Sequence, residues 1–567
     1  ASTDGSLDTS DSLDGKGGTD TLTATVLTTQ SIRPTLANIE VIQLTAGNAV
    51  SDTLTLDTRD ISGATTYTSE SSDGALVINN LSALPTININ SSTEATTINF
   101  TDAALSASAQ TLTVNLNNYD ASDAGDILAI TDAGGTTNTL ETLSLVTDSL
   151  ASTLVDLQTT NVGTTALSVS GDQDLTITTA LDTEIVTVSA ASFTGALSTT
   201  LGATTAVSVT TGSGADVITA SSTGADSITL GAGNDSITVA TANLDSTDTI
   251  AGGAGTDTLT ISDAGTHVDA DFTNFLTVET VTFGDNATTL TLGAEATEAG
   301  IVTVTDGTGN TALTLGVGHT NATTVALSTG NDTLTATNYT GVLTVTVGAD
   351  SITNADTITG GAGTSDVITL TTTSNTLTAT ELGSVTGFEN INVASNVTTG
   401  LITLADANVA SGASLTIDAS AQTTTNLLLH AGAEADGTIT VTRGASTGTA
   451  TVTLGQGNDT YTSTSTGVDT VVATAGNNTI STGGGADLIT LGTGADTVTA
   501  GAGNDTITVA SASLASTDTI TGGAGTDTLT ISDAGTHIDT DFTNIRTVET
   551  VTFGDNATTL TLGANAT

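Results

Sequence analysis

Cysteine, methionine and tryptophan are absent from this 567-residue chain, proline occurs only at Pro34 and Pro85, and aromatic residues make up 2%. Without cysteine there is no disulfide and no thiol chemistry, so any staple must come from elsewhere, and a metal ion can serve. Without bulky rings, a core must be assembled from Val, Ile, Leu and Ala. Basic residues are almost missing: Lys16, Arg33, Arg59, Arg443 and Arg546 stand against 60 acidic residues, for a formal net charge of −55. Nothing here can form a basic stripe, which excludes nucleic acid as a partner. No apolar run is long enough to cross a membrane as a helix, and no signal-peptide pattern opens at Ala1. The chain lacks an initiator methionine and begins and ends within repeat-like sequence, so it is read as a mature fragment or a section of something longer.

What is present is Thr, Ser, Gly and Asp around regularly alternating aliphatics. Thr and Val favour strands, while Gly and Asp punctuate turns. The length points to three or four domains or to one continuous repeat array. A folded chain this acidic repels itself unless cations neutralise it. Disorder fits poorly, because the apolar residues alternate and the mean hydropathy is +0.19.

Repeats occur on three scales. Residues 234–297 recur as 504–567 with ten differences, an offset of 270 that implies tandem duplication. A medium module opens on a glycine-rich turn with an Asp and ends on a Glu within a later apolar strand. It pairs Asp20 with Glu40, Asp257 with Glu279, Asp366 with Glu389 and Asp527 with Glu549, at separations of 20, 22, 23 and 22, and a looser relative runs from Asp126 to Glu141. The shortest repeat is nine residues. From 455 onward, Asp459, Asp469, Asn478, Asp487, Asp496 and Asp505 fall at spacings of 10, 9, 9, 9 and 9. Each is followed two positions on by Tyr461, Val471, Ile480, Ile489, Val498 or Ile507. An earlier run holds Asp216, Asp226 and Asp235, and isolated copies sit at Asp332 (STGNDTLT) and Asp350 (VGADSIT).

Nine residues hold one tight turn and one minimal strand. Glycines permit positive φ and close backbone approach, and the aliphatic residue points inward. Two units make one coil of a parallel β-roll, so the aliphatics stack into a ladder and the aspartates into a column along one edge. That column is repulsive unless neutralised. Calcium suits it, because it takes six to eight hard oxygen ligands, carboxylates and backbone carbonyls together.

The segments GAGNDTIT, GTGADTVT, GGGADLIT and both GGAGTDTLT copies match GGxGxDxUx, and through them the chain resembles the repeats-in-toxin (RTX) proteins. Its Thr/Ala/Gly/Asp-rich style is similar to that of bacterial S-layer proteins and large repeat adhesins. The resemblance implies an all-β fold: a parallel β-roll or β-solenoid with RTX nonapeptide turns, plus stacked β-modules in tandem. It implies Ca²⁺ held by the aspartate carboxylate and by the carbonyls of the first and third repeat residues. By position the ligands are Asp216, Asp226, Asp235, Asp257, Asp459, Asp469, Asp487, Asp496, Asp505 and Asp527. The matching glycines are Gly231, Gly233, Gly252, Gly483, Gly485, Gly492, Gly494, Gly501, Gly503 and Gly522. Asp20, Asp332 and Asp366 are added from less regular turns, and Asp350 divides evenly between ligand and plain turn residue. Asn478 in place of Asp, and Thr211 and Ser222 in place of Gly, mark weakened or non-binding turns. The module-end glutamates are read as solvated or hydrogen-bonded strand residues in preference to calcium ligands.

The chain is therefore divided into strand modules at 1–210, a first RTX block at 211–260, further modules at 261–454, a second RTX block at 455–530, and the start of another module at 531–567. No catalytic constellation stands out. His267, His319, His430 and His537 show no HExxH spacing, so a zinc site is not expected, and neither GxSxG in its proper context nor GK[ST] occurs. The expectation is a non-enzymatic structural protein of the bacterial cell surface, secreted by the type I route as such proteins typically are. It would bind calcium and self-assemble with copies of itself into a layer, sheath or filament, with cell-surface polysaccharide as a further candidate partner. The alternative is the stalk of a large secreted RTX adhesin.

Overall fold

The computed structural model describes residues 7–123, 125–132, 139–220, 223–348, 351–371, 376–395, 397, 399–554, 559–561 and 563. Asp350 and Ser222 lie outside them. The chain forms two compact units, one of residues 1–262, 270–281 and 298–300, the other of residues 263–269, 282–297 and 301–567. Each is a β-solenoid of short parallel strands. The α-helix among the described residues, Ala294–Ala299, has six residues, and no described helix is long and apolar enough to cross a membrane.

In the first unit some coils carry three strands and others, such as that of Thr66–Glu70 and Ala75–Leu81, carry two. Val41–Ala46, Thr53–Asp57 and Ile61–Ser62 make one three-strand coil. Val41–Ala46 pairs in parallel with Thr21–Val26 one coil back, Thr53–Asp57 with Gln30–Ile32, and Ile61–Ser62 with Thr35–Ala37. Later coils shorten and carry two strands, as in Val217–Thr219 and Ser227–Thr229, where the glycine–aspartate turns begin. The motif-poor stretch before residue 210 is thus made of solenoid coils too. Its extra length is taken up in loops and a third strand, while the inward and outward alternation of each strand keeps its register.

In the second repeat block each coil carries two strands, and there the nine-residue spacing becomes geometry. Asp469–Ala473, Leu488–Leu491, Thr506–Val509 and Thr528–Ile531 stack in parallel, with Val471 opposite Ile489, Ile489 opposite Ile507 and Ile507 opposite Leu529. Eighteen residues separate the first partners, so two nonapeptides complete a coil. Val452, Val471, Ile489, Ile507 and Leu529 are all buried. Each such side chain contributes roughly 1.5–3 kcal/mol on leaving water. The ladder also explains the shortage of aromatics, since a core one residue deep between two sheets has room for aliphatics at most positions. Tyr461 is the exception in its column, fully buried between Val441 and Ile480.

The third glycine of the repeat is required by close approach. Gly503 has φ of +145°, and a Cβ there would lie 1.5 Å from the Gly485 carbonyl oxygen one coil away. Gly525 repeats this against Gly503. Any side chain would force the coils apart at the turn, where their backbones must stack.

Candidate metal centre

Each glycine–aspartate turn delivers its Asp to the residue just before a strand, and the coil length places the same residue of the next coil about 4.8 Å away. One carboxylate oxygen of each Asp spans that gap and accepts a backbone N–H. In the first block Leu197 N–H donates to Asp216 at 2.7 Å, Asp216 N–H to Asp235 at 2.7 Å and Asp235 N–H to Asp257 at 2.8 Å. In the second block Asp469 N–H donates to Asp487 at 2.8 Å, Asp487 N–H to Asp505 at 2.9 Å and Asp505 N–H to Asp527 at 2.9 Å. A Glu ends each row: Asp257 N–H donates to Glu279 Oε2 at 2.8 Å and Asp527 N–H to Glu549 Oε2 at 2.7 Å. Asp20 with Glu40, and Asp366 with Glu389, repeat the arrangement. The recurring separation of 20 to 23 residues between Asp and Glu is therefore the length of one coil, and these glutamates are hydrogen-bonded in the structure.

The opposite corner carries a parallel row. Val207 N–H donates to Asp226, whose own N–H donates to Asp248, each at 2.9 Å. Further on, Ile439 N–H meets Asp459 at 2.8 Å, Asp459 N–H meets Asn478 at 3.0 Å, Asn478 N–H meets Asp496 at 2.9 Å and Asp496 N–H meets Asp518 at 3.1 Å. Asp332 accepts from Thr311 and donates its N–H to Asp356.

The second oxygen divides these aspartates into two kinds. In Asp20, Asp216, Asp235, Asp257, Asp332, Asp459, Asp487, Asp505 and Asp527, Oδ2 is buried and has no hydrogen-bond partner. In three of them it lies against a glycine: a Cβ on Gly15 would come within 2.7 Å of Asp20 Oδ2, one on Gly252 within 2.4 Å of Asp257 Oδ2, and one on Gly522 within 2.6 Å of Asp527 Oδ2. A charged oxygen held dry and unpaired is costly. Burial accordingly pushes Asp235 up to about 6 and Asp487 to about 7, with neighbouring carboxylates adding to both. Asp332 also rises to about 7, through burial and then the charges of Asp306 and Asp356. Asp216, Asp257, Asp459, Asp496 and Asp505 are raised as well, chiefly by desolvation.

A hard divalent cation removes that cost. Carbonyl oxygens are at hand, since those of Gly231, Gly233, Gly483, Gly485, Gly501 and Gly503 point along the stack toward the glycine of the next coil. Gly483 O accepts one bond, from Ala502 N–H at 2.8 Å, and a carbonyl has two lone pairs. Gly252, Gly492, Gly494 and Gly522 line equivalent turns. Carboxylate and carbonyl oxygens without nitrogen or sulfur form the donor set that calcium prefers.

In the second kind both oxygens are occupied. Asp248, Asp356 and Asp518 use Oδ2 on the N–H of Asp245, Thr353 and Ala515, three residues back. These ladder members were missed in the sequence because no glycine run precedes them. Their signal was the tail D-T-I, which matches the motif from its Asp onward. Asp366 also spends both oxygens, on Leu343 and Gly361 N–H, which leaves this expected ligand less open than the others.

Asp469 departs furthest from its expected role as a ligand. Its carboxylate is fully buried and ion-paired with Arg443 Nη1, while Tyr461 donates its hydroxyl to Oδ2 at 2.9 Å. A guanidinium stands where the other turns present a bare oxygen, so the protein supplies its own cation. Asn478 uses a milder substitute, its amide nitrogen donating to Asp496 Oδ1 at 3.0 Å and to the Ala475 carbonyl at 2.9 Å. Replacing Arg443 with Met is expected to destabilise the second unit by about 3–5 kcal/mol, because it strands a buried carboxylate. The double variant R443M/D469N should recover most of that loss in urea denaturation, and equal instability of both variants would refute the pairing.

His319 takes a structural role. It stacks on Tyr339 with ring centroids 5.7 Å apart and pairs with Thr323 at 2.8 Å.

Comparison with known families agrees with this geometry. The family model for the RTX calcium-binding nonapeptide repeat matches residues 210–240, 244–260, 463–498, 490–510 and 514–530. No curated protein and no solved structure matches the chain.

Proposed function

The chain is an RTX-type repeat protein, and on that premise we propose that it is an extracellular structural protein that folds around calcium and assembles with copies of itself at the bacterial cell surface. The observation that carries the calcium-driven part is the row of buried carboxylate oxygens without partners along the glycine turns. Repeats of this type are calcium-binding motifs, and proteins that carry them are typically secreted. Outside the cell calcium is plentiful, so a chain that stays open in its absence and closes on export fits that route.

Assembly rests on the outward faces. Thr490, Thr508, Thr530 and Thr552 stack in register along one sheet. This gives a regular, uncharged row of hydroxyls and methyls that suits packing against a like sheet. The proposed role is architectural, with no reaction assigned. Negative-stain imaging of purified protein in calcium should show ordered lattices or polymers that EGTA disperses. Dispersed single particles in calcium would instead support the stalk of a larger adhesin and overturn self-assembly.

A further inference from the structure

We propose that Asp406, Glu434 and Asp436 form a divalent-cation site, most suited to calcium, of a design different from the glycine–aspartate turns. Asp406 and Asp436 are exposed, Glu434 is fully buried, and one carboxylate oxygen from each lies within 4.8 Å of the others. The stretch lies outside the matched repeats. The frame differs as well: the position equivalent to a ladder aspartate is taken by Ile439, whose N–H meets Asp459.

Glu434 is what turns an acidic cluster into a site. Oε1 accepts the N–H groups of Asp436 at 3.1 Å and Gly437 at 2.8 Å, which locks the carboxylate in place. Oε2 is buried and accepts nothing. Asp406, one coil earlier, is held by Ala435 N–H at 2.9 Å. Two carboxylates from successive coils are thus held by backbone N–H groups, and an oxygen of the third, Asp436, lies within 4.8 Å of both. Among the described residues no lysine or arginine pairs with any of them, and the nearest basic residue in sequence, Arg443, is committed to Asp469.

A buried carboxylate oxygen without a proton donor, flanked by two exposed carboxylates, is stabilised by a cation that enters from solvent. Oxygen-only ligation with two open sides suits calcium, which accepts irregular shells and retained waters, better than magnesium with its strict octahedron. The site also adjoins the second repeat block. Glu434 packs beside Gly455, where a Cβ would lie 3.2 Å from it, and its charge contributes to the raised pKa of Asp459. An ion here would neutralise the coil on which the first turn of that block stacks.

The test counts ions. Calcium bound per chain, measured by equilibrium dialysis of the full chain, should fall by one in E434Q and by one in the exposed pair D406N/D436N. Circular dichroism in calcium should remain that of the parent for D406N/D436N. D505N/D527N should lose calcium of the repeat turns while keeping this ion. Magnesium at equal concentration should not restore the count. An unchanged count in folded D406N/D436N would overturn the proposal, and because both residues are exposed that variant decides the matter even if E434Q fails to fold.

Discussion

Chelation with EGTA at pH 7.5 is expected to unfold the repeat blocks, with loss of the strand signal in circular dichroism over 455–530 and a fall of tens of degrees in the calcium-dependent melting transition. A ligand present at a hundred times its Kd stabilises the fold by about 2.7 kcal/mol per site. A few ions in one block therefore match the 5–15 kcal/mol that separates most folded domains from their unfolded chains. The structure identifies which residues should matter. Asp487→Asn and Asp505→Asn remove a charge next to a turn whose second oxygen is bare. Each should cut the stabilisation by calcium. Asp518→Asn touches an aspartate whose oxygens are both hydrogen-bonded. It should cost about 1 kcal/mol as a lost cap without changing the response to calcium. If melting is the same in calcium and in EGTA, or if Asp518→Asn acts like Asp505→Asn, the division into bare and capped aspartates is wrong.

Acidification should rescue the calcium-free protein. The folded chain holds Asp235 at about 6 and Asp487 and Asp332 at about 7, against about 3.9 for an unfolded aspartate. A group raised on folding contributes stability that is complete below the unfolded value and is lost as pH rises through the folded one. In EGTA, stability should therefore decline from about pH 4 to pH 7, by about 1.4 kcal/mol for each tenfold change in proton affinity at each site. Calcium competes with the same protons, so its apparent affinity should rise across that window and its binding should release protons. Melting curves at pH 5, 6 and 7.5 with and without calcium would show this as two lines that diverge toward neutral pH. Parallel lines would refute it.

Much of this is legible in the sequence. The nine-residue interval, with glycines ahead of the Asp and an aliphatic two residues after it, is enough to specify a two-strand coil. Val471, Ile489 and Ile507 do stack as that interval requires. The glutamates at 20 to 23 residues from an Asp were visible as a pattern, but their meaning was not. A separation in sequence becomes a hydrogen bond only once the coil length is known, and Glu549 Oε2 meets Asp527 N–H because one coil there spans 22 residues.

Composition and repeat spacing by themselves determined the class of fold and pointed to calcium and to candidate turns for it, because those follow from local geometry repeated at a constant interval. The tertiary structure decided which carboxylates are open to that cation. Asp469 and Asp487 sit in equivalent turns and read alike, yet one is met by Arg443 and Tyr461 while the Oδ2 of the other is buried without a hydrogen-bond partner. That difference lies in neighbours 8 to 26 residues away, and no local motif records it.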